Sequence, residues 1–289
     1  MLPTFVIGLR EGLEAALIVG IVAAFLSARG RRDAVRLVWA GVATAVLLCA
    51  GFAVVLQVVS AELPQQQQEA LETVIGLVAV AMVTYMIVWM RRHARGMKKH
   101  LEMSAGEALA AGSAWALVAM AFLAVLREGF ETSVFLLAAF QASVAPLAAG
   151  LGAVLGIVVA AALGYGIYRG GVRLDLQRFF TVTGVVLVFV AAGLLATAAH
   201  TAHEAGWLDI GQAQALDLTW LVRPGTVLAS VLTGVLGMQP RPVAIEVAVW
   251  LAYVVPMVLY VVWPSLHRSR PAPARMPATG SATAPAHQS

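Results

Sequence analysis

Two five-residue blocks of this chain carry almost the same spelling inside long apolar runs. Arg10-Glu11-Gly12-Leu13-Glu14 lies within residues 2–28, and Arg127-Glu128-Gly129-Phe130-Glu131 within 114–140. A charge at the centre of a membrane-spanning helix costs about 2.5–3.5 kcal/mol even on lenient insertion scales. Left unpaired, the six charges of the two blocks would cost on the order of 15–20 kcal/mol on that scale. A liability repeated this way implies groups that serve one another, or serve something that passes between them.

The rest of the chain supports a membrane setting. Of its 289 residues, 61% are hydrophobic and only 12% charged, and the mean hydropathy is +0.86. A soluble domain carries about twice that charged fraction. The expected fold class is therefore all-α, a polytopic membrane protein. Cys49 is the single cysteine, which excludes an intramolecular disulfide, a thiolate zinc site and a cysteine-ligated cluster. No phosphate loop, dinucleotide fingerprint or serine nucleophile elbow is present, so the chain shows no basis for energy input from bound ATP. Leu26-Ser27-Ala28 resembles a signal-peptide cleavage site, but no cation precedes Arg10 and two glutamates interrupt the apolar stretch. The expectation is a retained first helix.

A span needs about 20 mostly apolar residues. Seven stretches qualify, at 3–28, 37–60, 69–90, 113–140, 146–168, 179–200 and 243–263. The apolar segment 226–238 is too short and reads as re-entrant or interfacial. Trp39, Trp89, Trp115, Trp207, Trp220 and Trp263 fall near the predicted ends, as an aromatic belt would. Gly8-x-x-x-Gly12 and Gly152-x-x-x-Gly156 permit close helix contact, although glycine is common in membrane helices in any case.

Orientation follows from the cations. Arg29, Arg31, Arg32 and Arg36 follow span one, and Arg91, Arg92, Arg95, Lys98 and Lys99 follow span three. Arg169, Arg173 and Arg178 separate spans five and six, and Arg268, Arg270 and Arg275 follow span seven. Fifteen of the 19 Lys and Arg thus share one side, which is expected to be cytoplasmic, with the N-terminus outside and the C-terminus inside. Glu62, Glu69, Glu72, Glu204, Asp209, Asp217 and Glu246 fall on the other side against Arg223 and Arg241. That makes a negative mouth, which concentrates cations. The net charge of +4 therefore reflects topology, and no nucleic-acid partner is expected.

Because the motif recurs in spans one and four, its two copies run in opposite directions. This predicts an inverted repeat of three helices plus three, at about 1–100 and about 113–200, followed by an external loop 201–242 and a last helix 243–263. Transporters commonly place their substrate site near mid-membrane where such repeats meet. The permease domain then spans 1–263, and residues 264–289, rich in Pro, Ala, Ser and Thr, read as a disordered cytoplasmic tail.

Glu11 and Glu14 are three residues apart on one helix face, as are Glu128 and Glu131. Facing one another, they would offer up to four hard oxygen ligands to a small multivalent cation. With Arg10 and Arg127 counted, the two motifs carry a net charge of about −2, close to what a divalent ion neutralises. The arginines either hold the carboxylates or repel the ion onward. The plainer alternative has each arginine clamp its own glutamate at i+4 for packing. That order of charges is the less favourable one on a helix, and it leaves Glu11 and Glu128 without partners. Glu69 and Glu72 repeat the i, i+3 spacing at the outer start of span three, while His200, His203 and Glu204 close span six on the same side. They form a candidate relay from the mouth to the central site, or alternatively solvated helix ends favoured by the dipole. Met82, Met86, Met90, Met103 and Met120 scatter without a constriction and read as core or lipid-facing.

These residues resemble a known family. The doubled Arg-Glu-Gly-x-Glu motif in spans one and four is similar to that of the high-affinity iron permeases, found in fungi beside a multicopper oxidase and in bacteria as EfeU-type ferrous iron permeases. Glu69-x-x-Glu72, with Thr84-Tyr85-Met86-Ile87-Val88-Trp89-Met90, also resembles the third span of the bacterial members. The resemblance covers residues 1–263. It implies seven spans, an external N-terminus, iron import into the cytoplasm, and Glu11, Glu14, Glu128 and Glu131 as iron ligands. The outer loop lacks an Asp-x-x-Glu motif of the fungal kind, which favours the bacterial type and periplasmic partner proteins over direct handover from an oxidase.

The expected protein is thus a multi-pass permease of the inner (plasma) membrane. Iron is its transported substrate, no cofactor is permanently bound, and a homo-oligomer is compatible with the sequence. The alternatives are a carrier of another divalent metal such as manganese or lead, an intramembrane enzyme using the glutamates as acid and base, or a structural membrane subunit.

Overall fold

The computed structural model describes residues 1–93, 114–143, 145–169, 175–220 and 239–262, with short pieces at 232–233 and 237. Seven long helices occupy the described residues. They are α1 (Leu2–Ala28), α2 (Arg32–Glu62), α3 (Gln65–His93), α4 (Ala114–Gln141), α5 (Pro146–Tyr168), α6 (Leu176–Glu204) and α7 (Ala244–Val262). Each coincides with a stretch predicted from apolar length, extended by up to five residues where polar ends continue the helical turn. Local chemistry sets the breaks. Gly30 takes φ +72° between α1 and α2, Pro146 opens α5, and Asp175 caps α6 by accepting the Arg178 N–H at 3.1 Å.

Six of the helices are long and apolar enough to cross a membrane. The exception is α4, because every 18-residue stretch of it contains Arg127, Glu128 and Glu131. Arg95, Lys98, Lys99, Arg173, Arg223, Arg268, Arg270 and Arg275, most of the segment 226–238 and the tail 264–289 lie outside the described residues.

Helix pairing follows a simple rule. Helix α1 packs most extensively on α5, α2 on α4, and α3 on α6, with α7 laid against α6. Exchanging α1, α2, α3 for α4, α5, α6 maps the principal pairs among these six helices onto one another. The pairs α1–α5 and α2–α4 interchange, as do α1–α6 and α3–α4, while α3–α6 and α1–α4 each map onto themselves.

Directions can be read from the contacts. Thr4 Oγ1 donates to Ala149 O at 2.7 Å, Gly8 abuts Ala153, Gly12 abuts Ala160 and Gly164 abuts Ala16, so α1 and α5 run parallel. The two Gly-x-x-x-Gly pairs are opposite faces of this one interface: Gly152 and Gly156 lie against the backbone of Met1 and Phe5. Cys49 with Leu126, and Phe52 with Phe130, make α2 and α4 parallel as well. Gln66 with Ala205, and Thr73 with Thr201, make α3 and α6 antiparallel.

The largest apolar core joins α3, α6 and the second half of α4 around Phe135, Leu187 and Val188, and a second core joins α1, α2 and the first half of α4. The outer segment folds back on the start of α7, with Leu218 N–H donating to Pro240 O at 2.8 Å and Ala244 N–H to Ala213 O at 2.9 Å. Of the expected loop 201–242, residues up to Glu204 belong to α6.

Candidate functional site

The central glycine of each motif is a packing point. A Cβ added at Gly12 would stand 2.9 Å from Ala160 Cβ, and one at Gly129 would stand 2.7 Å from Cys49 Sγ. Helix α1 is thereby seated on α5, and α4 on α2, at the residue between the two glutamates of each motif. This seating fixes the rotation of both helices.

The result is a carboxylate group. Glu11, Glu128 and Glu131 each offer an oxygen within 4.8 Å of the others. Oxygen ligands bound about 2.0–2.6 Å from one cation stand at most about 5 Å apart, so the spacing fits a single hard ion. Glu11 is 1% exposed, and neither of its oxygens accepts a hydrogen bond from the described residues. Glu128 Oε2 is likewise buried without a partner. Buried carboxylate oxygens are costly unless something satisfies them.

The arginines divide differently. Arg10, buried, lies 3.4 Å through Nε from Glu14 Oε1, with its guanidinium 5.9 Å from the Phe180 ring centre. Arg127 Nε donates to Glu131 Oε1 at 2.9 Å and lies 3.8 Å from Glu128 Oε1. Of the four glutamates, Glu11, Glu128 and Glu131 offer oxygens within 4.8 Å of one another, and Glu14 stands beside Arg10. Both i+4 clamps are present, and they coexist with the cluster instead of replacing it.

A cavity of about 1100 Å³ reaches this group between α1, α2, α4 and α5. Its lining runs from Ser27 and Trp39, at one end of the bundle, past Glu11 and Glu128 to Gln57, Glu72 and Gln141 at the other. Cys49, Thr132 and Ser133 add polar atoms beside the carboxylates. Apart from Cys49, noted as the single cysteine, these neutral side chains do not stand out in the sequence, where charge is what breaks the apolar background.

The relay residues form two sets. Glu72 lines the cavity and accepts from Gln68 Nε2 at 3.2 Å. Glu69 lies within hydrogen-bonding reach of Glu204, and His200 Nε2 stands 3.5 Å from Glu204 Oε1. The other ring nitrogen, His200 Nδ1, is 2.9 Å from Glu246 Oε1. His203 turns away, donating from Nδ1 to Leu208 O at 2.8 Å, with Asp209 at 3.6 Å. Glu246, counted in sequence only as one acid of the mouth, is the buried residue that ties this set together. Asp217 is occupied by a turn: the Thr219 N–H and O–H bond its carboxylate and hold it below the usual carboxylate range.

Comparison with known proteins places the chain. The model of the Iron permease FTR1 family matches residues 1–267. The chain belongs to this family. Among its relatives, the permease is 44% identical to the ferrous iron permease EfeU of Yersinia pestis over 261 residues, covering 90% of this chain and 92% of that protein. It is 41% identical to EfeU of Escherichia coli O6:K15:H31 over 266 residues, 91% of this chain and 96% of the relative. With EfeU of Shigella sonnei the identity is 42% over 258 residues, 89% of this chain and 93% of the relative. No solved structure matches. A family of permeases sets aside the intramembrane-enzyme alternative.

Proposed function

We propose that this permease imports ferrous iron into the cytoplasm through a site made by Glu11, Glu128 and Glu131, with Glu14 held beside it by Arg10. The observation that carries the reading is the convergence of three carboxylates from two distant motifs, one of them buried with both oxygens unpartnered among the described residues. Family membership supports iron as substrate, and the ferrous state is suggested by the relatives, which are ferrous iron permeases by name. Oxygen donors suit manganese almost as well, so a carrier of another divalent metal, manganese or lead, is the competing reading.

The topology belongs to the same proposal: seven spans, N-terminus outside, C-terminus inside, in the inner membrane. Parallel α1–α5 and α2–α4 with antiparallel α3–α6 are the directions that alternating spans require. The self-mapping helix pairing supports the inverted three-plus-three repeat. In α4 the three charges would be matched inside the bundle, by one another and by the passing cation, and not by lipid.

On this reading Glu69, His200 and Glu204 collect the ion at the outer face, Glu72 hands it to the cavity, and the central carboxylates take it from there. Release would follow the apolar stretch of the cavity toward Ser27 and Trp39. Periplasmic partner proteins would supply the mouth, and no resident cofactor is needed. The test is uptake of radiolabelled iron by cells, with manganese and lead as competitors. Glu11→Gln and Glu128→Gln should each abolish it while the protein still reaches the membrane. Unimpaired uptake by either variant removes the site assignment, and stronger competition by manganese than by unlabelled iron replaces the substrate.

A further inference from the structure

Cations gather where α1 turns into α2. Within residues 29–36, Arg29, Arg31, Arg32 and Arg36 stand against the single acid Asp33, and all four arginines are exposed. Arg169, exposed beyond the end of the parallel helix α5, lies at the same end of the bundle. Helix α2 starts inside this cluster with no side-chain cap on its first turn, so its leading N–H groups add to the positive field.

An apolar groove opens beside the cluster. Helices α2 and α5 both line the cavity but share no extensive contact with one another. Trp39, Val46 and Val54 of α2 and Tyr165 of α5 line it while each stays more than half exposed, so its flank is open to lipid. Trp39 and Tyr165 stand toward the basic end, as amphipathic rings do at a membrane interface. The Arg169 guanidinium lies 5.5 Å from the centre of the Tyr165 ring. From Ser27 to Glu11, both on the lining, α1 rises about 24 Å. That depth exceeds the roughly 15 Å of hydrocarbon belonging to one leaflet.

We propose that an anionic phospholipid docks here, with its phosphate among Arg29, Arg31, Arg32 and Arg36 and one acyl chain in the groove. Arginines clustered beside a membrane helix attract anionic headgroups, and the guanidinium fork matches phosphate oxygens. The apolar lining gives water few partners, whereas a chain entering from the side between α2 and α5 buries it. Neither half of the site is enough alone. A soluble phosphate leaves the groove unfilled, and a neutral lipid forgoes the arginines. The seated chain completes the wall that α2 and α5 leave open. It also occupies the apolar stretch that the release path uses, and so closes that path until it moves aside.

The test places the full-length permease in phosphatidylcholine vesicles with a rising share of lipid carrying brominated chains, which quench nearby tryptophan. The Trp39 signal is the difference between wild type and Trp39→Phe. Brominated phosphatidylglycerol should half-quench Trp39 at a share roughly tenfold lower than brominated phosphatidylcholine. Arg32→Gln with Arg36→Gln should bring the two shares together. Ala161→Phe, which narrows the groove, should weaken the preference severalfold, and soluble glycerophosphoglycerol should not relieve the quenching. Equal shares in wild type, a preference untouched in either variant, or relief by the soluble headgroup overturns the proposal. Should the double arginine variant not fold, wild type in about 1 M salt, where charges reach only about 3 Å, must lose the preference, and its persistence there overturns the proposal equally. Iron is absent from these measurements, so failure of the lipid site and failure of the carboxylate site are told apart.

Discussion

Glu246 Oε1 stands 2.9 Å from His200 Nδ1, across the α6–α7 interface, while its Oε2 accepts the Val243 N–H at 3.3 Å. One buried carboxylate thereby fixes the start of α7 and the orientation of an imidazole whose second nitrogen faces Glu204. The carboxylate behind the ring decides which nitrogen is presented toward Glu204.

Glu246→Ala should therefore destabilise the protein by about 1–3 kcal/mol, the cost of stranding the partners of a buried hydrogen-bonded group. Thermal unfolding of the purified protein checks this. A double-mutant cycle with His200→Ala should return a coupling of roughly 0.5–3 kcal/mol. A coupling near zero would mean that the contact does not hold the helices together.

Glu204 side chain is 42% exposed and receives cations from the outer solution on the proposed path. Glu204→Ala should raise the apparent KM for iron severalfold, leave the maximal rate nearly unchanged, and flatten the dependence of uptake on ionic strength, since exposed charges are screened over about 8–10 Å at such salt. Uptake kinetics at low and physiological salt measure all three quantities. Complete loss of transport would place Glu204 in the central site.

Gly129→Ala should fail through packing, because its Cβ would press on Cys49 Sγ at 2.7 Å. The expected loss is about 1–3 kcal/mol, as for other overpacked sites. Cys49→Ala in the same chain removes the sulfur and should recover much of the folded yield and transport, measured by size-exclusion profile and iron uptake. No recovery would show that Gly129 acts through something other than this contact.

Glu11 and Glu14 should separate. Glu11→Gln removes a carboxylate that forms no ion pair among the described residues, so the protein should remain folded and bind no iron. Glu14→Gln strands the buried Arg10, and breaking a buried ion pair from one side costs about 3–5 kcal/mol. Its folded yield in detergent should drop before any question of transport arises. Equal yields with equal loss of binding would make Glu14 a ligand alongside the other three.

The helices were legible because apolar length alone specifies a spanning element, and Gly30, Pro146 and Asp175 mark the breaks. The pairing of Gly8 and Gly12 with Gly152 and Gly156 was half legible: each stripe announces close approach, but neither names its partner. At the site, i, i+3 spacing puts Glu11 and Glu14 on one face, yet it cannot reveal that Arg10 stands 3.4 Å from Glu14 while Glu11 has no such neighbour among the described residues. Glu246 and His200 are 46 residues apart with no periodicity linking them, so only the fold brings them together. Thr132, Ser133 and Gln57 were silent because neutral polar residues are unremarkable in a membrane helix.

The parallel pair α1–α5 is joined by glycines pressed against backbone, which leaves little room for sliding within it, and α2–α4 is locked at Gly129 and Cys49. Glu11 rides on the first pair, Glu128 and Glu131 on the second. Any rocking of one pair against the other must stretch or close the gap between those carboxylates. A cation lodged there would act as a rivet across the seam, so that loading and movement become a single event felt by both halves of the bundle.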